Sequence, residues 1–253
     1  KKMEAKKIII TGAATRIGAA IAKSLANYDV KILLHYNKSL FEVKKLKKDL
    51  ENLGAKIFLI KADLNKSSET KKIIPYAYKA MRGIDCLINN ASLFENDNIE
   101  EFNENKFDKH ININLKSPSV LSRDFFRYIK KNKGNIINII DQRIFKLTPH
   151  FFSYTLSKTG LGTLTTVSAM KFAPNVRVNG IAPGPTLKNK RQSEKHFKKQ
   201  WQSTLLKKKV ETENISKTVK FLIDNENITG QIIPVDSGQS IAWLTPDIIN
   251  VKE

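Results

Sequence analysis

One cysteine stands in the 253 residues, so no internal disulfide can staple this fold. Cys86 lies in Ile-Asp-Cys-Leu-Ile, a run that reads as a buried strand, where a lone thiol serves as a small apolar side chain. No Cys/His group has metal-ligand spacing, so no metal site is expected. Glycine and proline gather into no block, no repeat of solenoid length appears and no linker interrupts the chain. Residues 1–253 therefore read as a single domain, long enough for a sizeable core. No apolar run nears the roughly 20 residues of a membrane-spanning helix. The run Ile8-Ile9-Ile10 is too short for the core of a signal peptide. A cytoplasmic location, away from membranes, is expected.

Acidic residues are also scarce, 24 against 44 lysines and arginines, which leaves a net charge of +20 and raises a nucleic-acid reading. The distribution speaks against it. The lysines are spread along the whole chain beside many Asn and Ile residues, which suggests a genome-wide compositional bias. Lys44, Lys45, Lys47 and Lys48 share a helical segment with Val43, Leu46 and Leu50 on its other face, so they read as solvated. No nucleic-acid motif with interleaved aromatics is present, and no nucleic-acid partner is expected.

What the chain does have is a regular alternation of short aliphatic runs and helical-period segments. Lys7–Ile10, Val30–Leu34, Ile57–Ile60, Cys86–Ile88, Asn135–Ile140, Val176–Ile181 and Gln231–Val235 read as strands. Ile17–Asn27, Leu40–Leu53 (stopped by Gly54), Ser67–Met81, Asn105–Lys130 (bent near Pro118), Phe152–Phe172 and Ser216–Asp224 read as helices. Strict alternation with apolar strands predicts a mainly parallel, doubly wound α/β sheet of the Rossmann type, covered on both faces.

The first strand runs into Thr11-Gly12-Ala13-Ala14-Thr15-Arg16-Ile17-Gly18, which opens the first helix. Small residues there let the backbone approach a pyrophosphate, and the helix N-terminus attracts its charge. The second strand ends in His35-Tyr36-Asn37-Lys38-Ser39 with no acid to hold ribose hydroxyls. His35, Lys38 and Ser39, with Arg16 on the facing loop, are suited to a 2′-phosphate, so NADPH is the expected cofactor.

Tyr154 and Lys158 stand four apart in Tyr-Thr-Leu-Ser-Lys, one turn apart on one helix face, with Asp141 thirteen residues upstream. A cation beside a phenol favours phenolate and is expected to lower the Tyr154 pKa, making it a usable proton donor.

With these motifs in order, the chain resembles the short-chain dehydrogenase/reductase family over essentially its full length. The remaining matches are Asp63-Leu64, Asn89-Asn90-Ala91-Ser92, Asn114-Leu115, Val178 to Gly184, and Thr229-Gly230-Gln231 with Val235-Asp236 and Gly238. The resemblance implies a role for each site position. Asp63, beside Leu64, would bond the adenine amino group, while Asn90, Ala91 and Ser92 would line the ribose and the middle of the cofactor. Pro183, Gly184 and Thr186 would hold the nicotinamide carboxamide. Tyr154 would donate the proton, Lys158 would hold the nicotinamide ribose and tune Tyr154, and Asn114 would anchor a water in the proton relay. The family is usually tetrameric through its two long helices, so a homotetramer is expected.

Four departures from the commonest family pattern resemble its pteridine reductase branch, which includes dihydromonapterin and alternative dihydrofolate reductases. Arg16 replaces a glycine, Ser92 follows Asn-Asn-Ala, Asp141 stands where a serine is usual, and the second strand ends in His-Tyr-x-Lys-Ser. In that branch an aromatic two residues after the serine, here Phe94, sandwiches the pterin. The resemblance implies reduction of a dihydropterin or dihydrofolate, with Arg16, Ser92, Phe94, Asp141 and Tyr154 on the substrate. An aspartate there can accept from ring N–H donors, or relay a proton when itself protonated. The alternative within the family is a carbonyl or 3-oxoacyl reductase without its serine. Outside it stands a non-catalytic nucleotide-binding or basic nucleic-acid-associated protein.

Residues 185–212 form the family's variable substrate lid. Here they carry Lys188, Lys190, Arg191, Lys195, Lys198 and Lys199 with Phe197 and Trp201. Either these cations meet the glutamate carboxylates of a folate, or they form a solvated helix face. The tail 243–253 has no assigned role.

Overall fold

A computed structural model describes residues 6–26, 29–130, 132–189 and 192–243. Asn27, Lys190, Arg191 and the tail beyond Trp243 lie outside the described residues. Seven strands form one parallel sheet: β1 (Lys6–Ile10), β2 (Val30–Tyr36), β3 (Lys56–Lys61), β4 (Cys86–Asn89), β5 (Gly134–Ile139), β6 (Val176–Pro183) and β7 (Ile232–Val235). Their order across the sheet is β3-β2-β1-β4-β5-β6-β7. The order reverses between β1 and β4, which opens a crevice at the carboxyl ends of the strands, where ligands of such sheets bind.

Side chains of successive strand residues leave on opposite faces. Ile8, Ile10, Ile32, Leu34, Ile88 and Ile137 enter one apolar layer with α1 (Arg16–Leu25), α2 (Leu40–Asn52) and α9 (Thr212–Asp224). Ile9, Leu33, Leu87, Ile136 and Val178 enter the other with α4 (Ile73–Met81) and α6 (Ser117–Ile129). Both faces are buried, which is why the strands read as continuous aliphatic runs. Cys86 sits in the first layer, and burial pushes its thiol up to about 12, an inert apolar filler. Among the described residues no helix is long and apolar enough to cross a membrane. None of them gather three His, Cys, Asp or Glu side chains suited to a metal.

Two helices differ from their expected course. The segment 67–81 breaks into α3 (Ser67–Thr70) and α4. The long helix divides into α5 (Glu104–Ile111), a wide π-helical turn Asn112–Lys116, and α6, so the interruption precedes Pro118. Pro118 instead occupies the first turn of α6, where its missing N–H costs little. The π turn carries Asn114, whose fully buried side chain bonds the loop beyond β4. α7 (Phe152–Phe172) follows β5, and α8 (Glu194–Gln202) lies in the lid segment.

Candidate active site

A cavity of about 1010 Å³ occupies the crevice. Its floor begins at the β1–α1 turn. The Thr11 hydroxyl accepts from the N–H groups of Asn90 and Ala91, each at 3.0 Å, which ties the end of β4 to the end of β1. Asn90 Nδ2 donates back to the carbonyls of Thr11 and Gly12 at 2.9 and 3.0 Å. Gly12 has φ +60°, and a Cβ there would stand 2.8 Å from Ala91 Cα; only glycine takes both the conformation and the approach. Thr15 caps α1 without a side-chain bond, and no acid lies in the first turn. The positive end of the helix therefore meets the cavity uncompensated, the arrangement that binds a pyrophosphate.

Not every expected cofactor residue has a group free to bond a phosphate. His35 is buried at the edge of the cavity, its Nδ1 accepts from the Gly12 N–H at 3.1 Å, and its Nε2 faces the Ala62 carbonyl at 3.0 Å. Burial lowers its pKa. It is a neutral anchor for the glycine turn with no nitrogen left for a phosphate. Asn37, Asp63, Leu64, Ile17 and Gly18 line the cavity, whereas Lys38 and Ser39 do not. Arg16 lines it too, but its guanidinium donates to the carbonyls of Leu187 and Lys188 at 3.2 and 3.1 Å, linking the turn to the start of the lid. Pro183, Gly184 and Thr186 form the wall beyond β6.

The reactive end brings Ser92, Phe94, Asp141, Tyr154 and Lys158 together. The Tyr154 hydroxyl donates to Asp141 Oδ2 at 2.8 Å. Lys158 Nζ donates to the Ile139 carbonyl at 2.8 Å and lies 5.7 Å from the centre of the Tyr154 ring. The expected lowering of the phenol pKa is reversed here: burial, then the Asp141 charge and hydrogen bond, raise it well above its ordinary value. The charge nearest the hydroxyl is the carboxylate that sequence reading placed there for the substrate. Burial lowers the Lys158 ammonium to about 8. Asn114 does not line the cavity. Its amide bonds both the N–H and the C=O of Leu93, at 2.8 and 2.9 Å, and the Ser157 hydroxyl at 3.0 Å.

Asp141 also accepts from the backbone N–H of Arg143 at 2.9 Å, and the Arg143 guanidinium lies 3.4 Å from Oδ1. The Arg143 guanidinium carbon sits 4.8 Å from the Phe151 ring centre and 5.4 Å from that of Phe94. Phe94 stacks on Phe151 at 4.6 Å and 10°, and meets Tyr154 edge-on at 4.6 Å. Phe151 was missed altogether; its only signal is an aromatic just ahead of the Tyr154 helix. From the lid, Gln192, His196, Phe197 and Gln200 line the cavity, but Trp201 does not. Lys195, Lys198 and Lys199 are exposed and absent from the lining, and Lys188 pairs with Glu194 at 2.6 Å.

FolM alternative dihydrofolate reductase 1 of Brucella canis, solved with NADP, is 38% identical with a TM-score of 0.91 over 95% of this chain and 96% of that one. Its Brucella suis counterpart, also solved with NADP, is 37% identical with a TM-score of 0.92 over 96% and 98%. An uncharacterized oxidoreductase of Thermotoga maritima is 28% identical over 249 residues, 94% of this chain and 98% of that protein. Residues 6–199 match the model of the short chain dehydrogenases, and the chain belongs to that oxidoreductase family.

Proposed function

We propose that the protein is an NADPH-dependent reductase of a dihydropterin or dihydrofolate. One observation carries the substrate reading: a carboxylate, Asp141, faces the Tyr154 hydroxyl at 2.8 Å, beside the Phe94 ring. A ketone offers no donor to that carboxylate, whereas a pterin ring offers N–H groups and an amino group. The likeness to the two Brucella reductases supports the same substrate class.

The residues present fit a dinucleotide: an uncompensated helix N-terminus, the Gly12 turn and a wall of small residues. The missing acid after β2 and the NADP in both Brucella structures support the phosphorylated form. When bound, NADPH would supply the hydride for the carbon of the substrate's C=N bond. The chain's own residues deliver the proton to the nitrogen. N–H donors of the ring compete with Tyr154 for Asp141 and turn the phenol toward the ring nitrogen. Lys158 sets a positive charge near the phenolate that proton transfer leaves. We also propose a homotetramer, supported by the unpartnered Leu156, Val167 and Met170 on the outer face of α7, of which Met170 is 76% exposed.

The test is NADPH oxidation with dihydrobiopterin, dihydromonapterin, dihydrofolate and an acetoacetyl thioester, in wild type and Asp141→Ser. Turnover of the pterins or folate, lowered about 10²-fold or more in the variant, is expected. Turnover of the thioester alone would make this a ketoreductase. No turnover with any of them, beside a nucleic-acid mobility shift, would favour a binding protein.

A further inference from the structure

α7 starts without a cap of its own. Its N-cap residue, Phe151, has no side-chain acceptor and sits at φ 60°, ψ 45°. That left-handed conformation is strained for a bulky residue. The free N–H groups of the first turn are satisfied from another segment. The Asp97 carbonyl accepts from Phe151 at 2.9 Å and Phe152 at 3.4 Å. Asp97 Oδ1 accepts from the Ser153 N–H at 3.1 Å, and Oδ2 takes the buried Ser153 hydroxyl. A carboxylate at this end also complements the helix dipole.

Asp97 belongs to the stretch between β4 and α5 that carries Phe94 and has no helix or strand. Asn114 holds Leu93 in this stretch, and His110 Nε2 accepts from the Glu95 N–H at 3.3 Å. Asp97 makes the bond to α7. Its backbone carbonyl holds Phe151, whose ring stacks on Phe94, and its carboxylate fixes Ser153, next to Tyr154, whose ring Phe94 meets edge-on.

We propose that Asp97, which lies outside the cavity lining, is a positioning residue that joins the Phe94 loop to the first turn of α7, so that the aromatic platform and the Tyr154 hydroxyl keep one geometry. This rests on the pterin reading of the site, since a flat ring on Phe94 is what the geometry serves. Asp97 does not line the cavity. Its loss shifts the platform against the proton donor, and a displacement of about 1 Å can cost up to 10²-fold in rate.

Three full-length variants test this: Asp97→Ala, Asp97→Asn and Ser153→Ala. Asp97→Ala is expected to raise KM for the dihydropterin about tenfold and lower kcat, with the NADPH dissociation constant within about twofold of wild type. Asp97→Asn keeps an oxygen for the Ser153 N–H and should stay within about threefold of wild type. Hydrogen exchange, read without substrate, should quicken over residues 92–99 and 151–156 together in Asp97→Ala, and less so in Ser153→Ala. Faster exchange at 151–156 alone, with KM unchanged, would reduce Asp97 to an ordinary helix cap and overturn the proposal. If Asp97→Ala does not fold, an unchanged 92–99 segment in Ser153→Ala overturns it equally. A wild type silent toward every dihydropterin would sink the substrate reading, and the exchange data would then decide the joint by themselves.

Discussion

Asp141, Tyr154 and Lys158 show how far single residues can be read. Their spacing was legible because a helix puts residues four apart on one face. The protonation behaviour was not, because it depends on burial that only packing creates. Tyr154→Phe is expected to lower turnover by about 10²–10⁴-fold while leaving NADPH binding intact, measured by steady-state kinetics beside fluorescence titration. Lys158 gives a pH prediction. Burial disfavours its charged form and brings its pKa from 10.5 to about 8. Below pH 8 the folded chain bears the cost of that buried charge. Between 8 and 10.5 the unfolded chain binds the extra proton, so this group's contribution to stability rises with pH. Lys158→Met is therefore expected to be more stable than wild type at pH 7.5, relative to the same comparison at pH 9.5, with a gap that narrows by roughly 2 kcal/mol. Denaturant unfolding of the cofactor-free proteins at both values is the check, and parallel curves would contradict the assignment.

At the scale of elements, strands and amphipathic helices followed from periodicity, while their interruptions did not. A 3.6-residue pattern runs through 105–130 without showing the π turn, because that turn is set by Asn114 reaching Leu93, a tertiary contact. Asn114→Ala leaves both polar groups of Leu93 without this partner and should cost about 1–3 kcal/mol, read as a lower urea midpoint. The β1–α1 turn is tighter still. A Cβ on Gly18 would lie 2.6 Å from Asn90 Nδ2 and closer to the Gly12 carbonyl. Gly18→Ala should therefore push the turn away from β4 and weaken NADPH binding by about tenfold or more. Unchanged affinity in a fluorescence titration would mean the turn yields without disturbing the phosphate site.

At the scale of the whole molecule, the outer face of α7 bears on assembly. Val167 and Met170 are 56% and 76% exposed on one face of α7, an apolar pair suited to burial against a second copy. Val167→Glu with Met170→Glu is expected to give a smaller species by light scattering, whereas a wild type already monomeric at micromolar concentration would refute the tetramer. The chain by itself determined the alternating architecture, the phosphate turn at the head of α1, and the pairing of Tyr154 with Lys158. Those features are periodic or local, and hydrophobic pattern and turn chemistry record them directly. The tertiary structure decided that His35 braces a turn, that Arg16 reaches the lid, that the lid lysines Lys195, Lys198 and Lys199 stay out of the cavity, that Arg143 and Phe151 flank the reactive end, and that Asp97 caps the helix behind it. Each of those depends on where a side chain meets a residue far away in sequence, and no local pattern carries that distance.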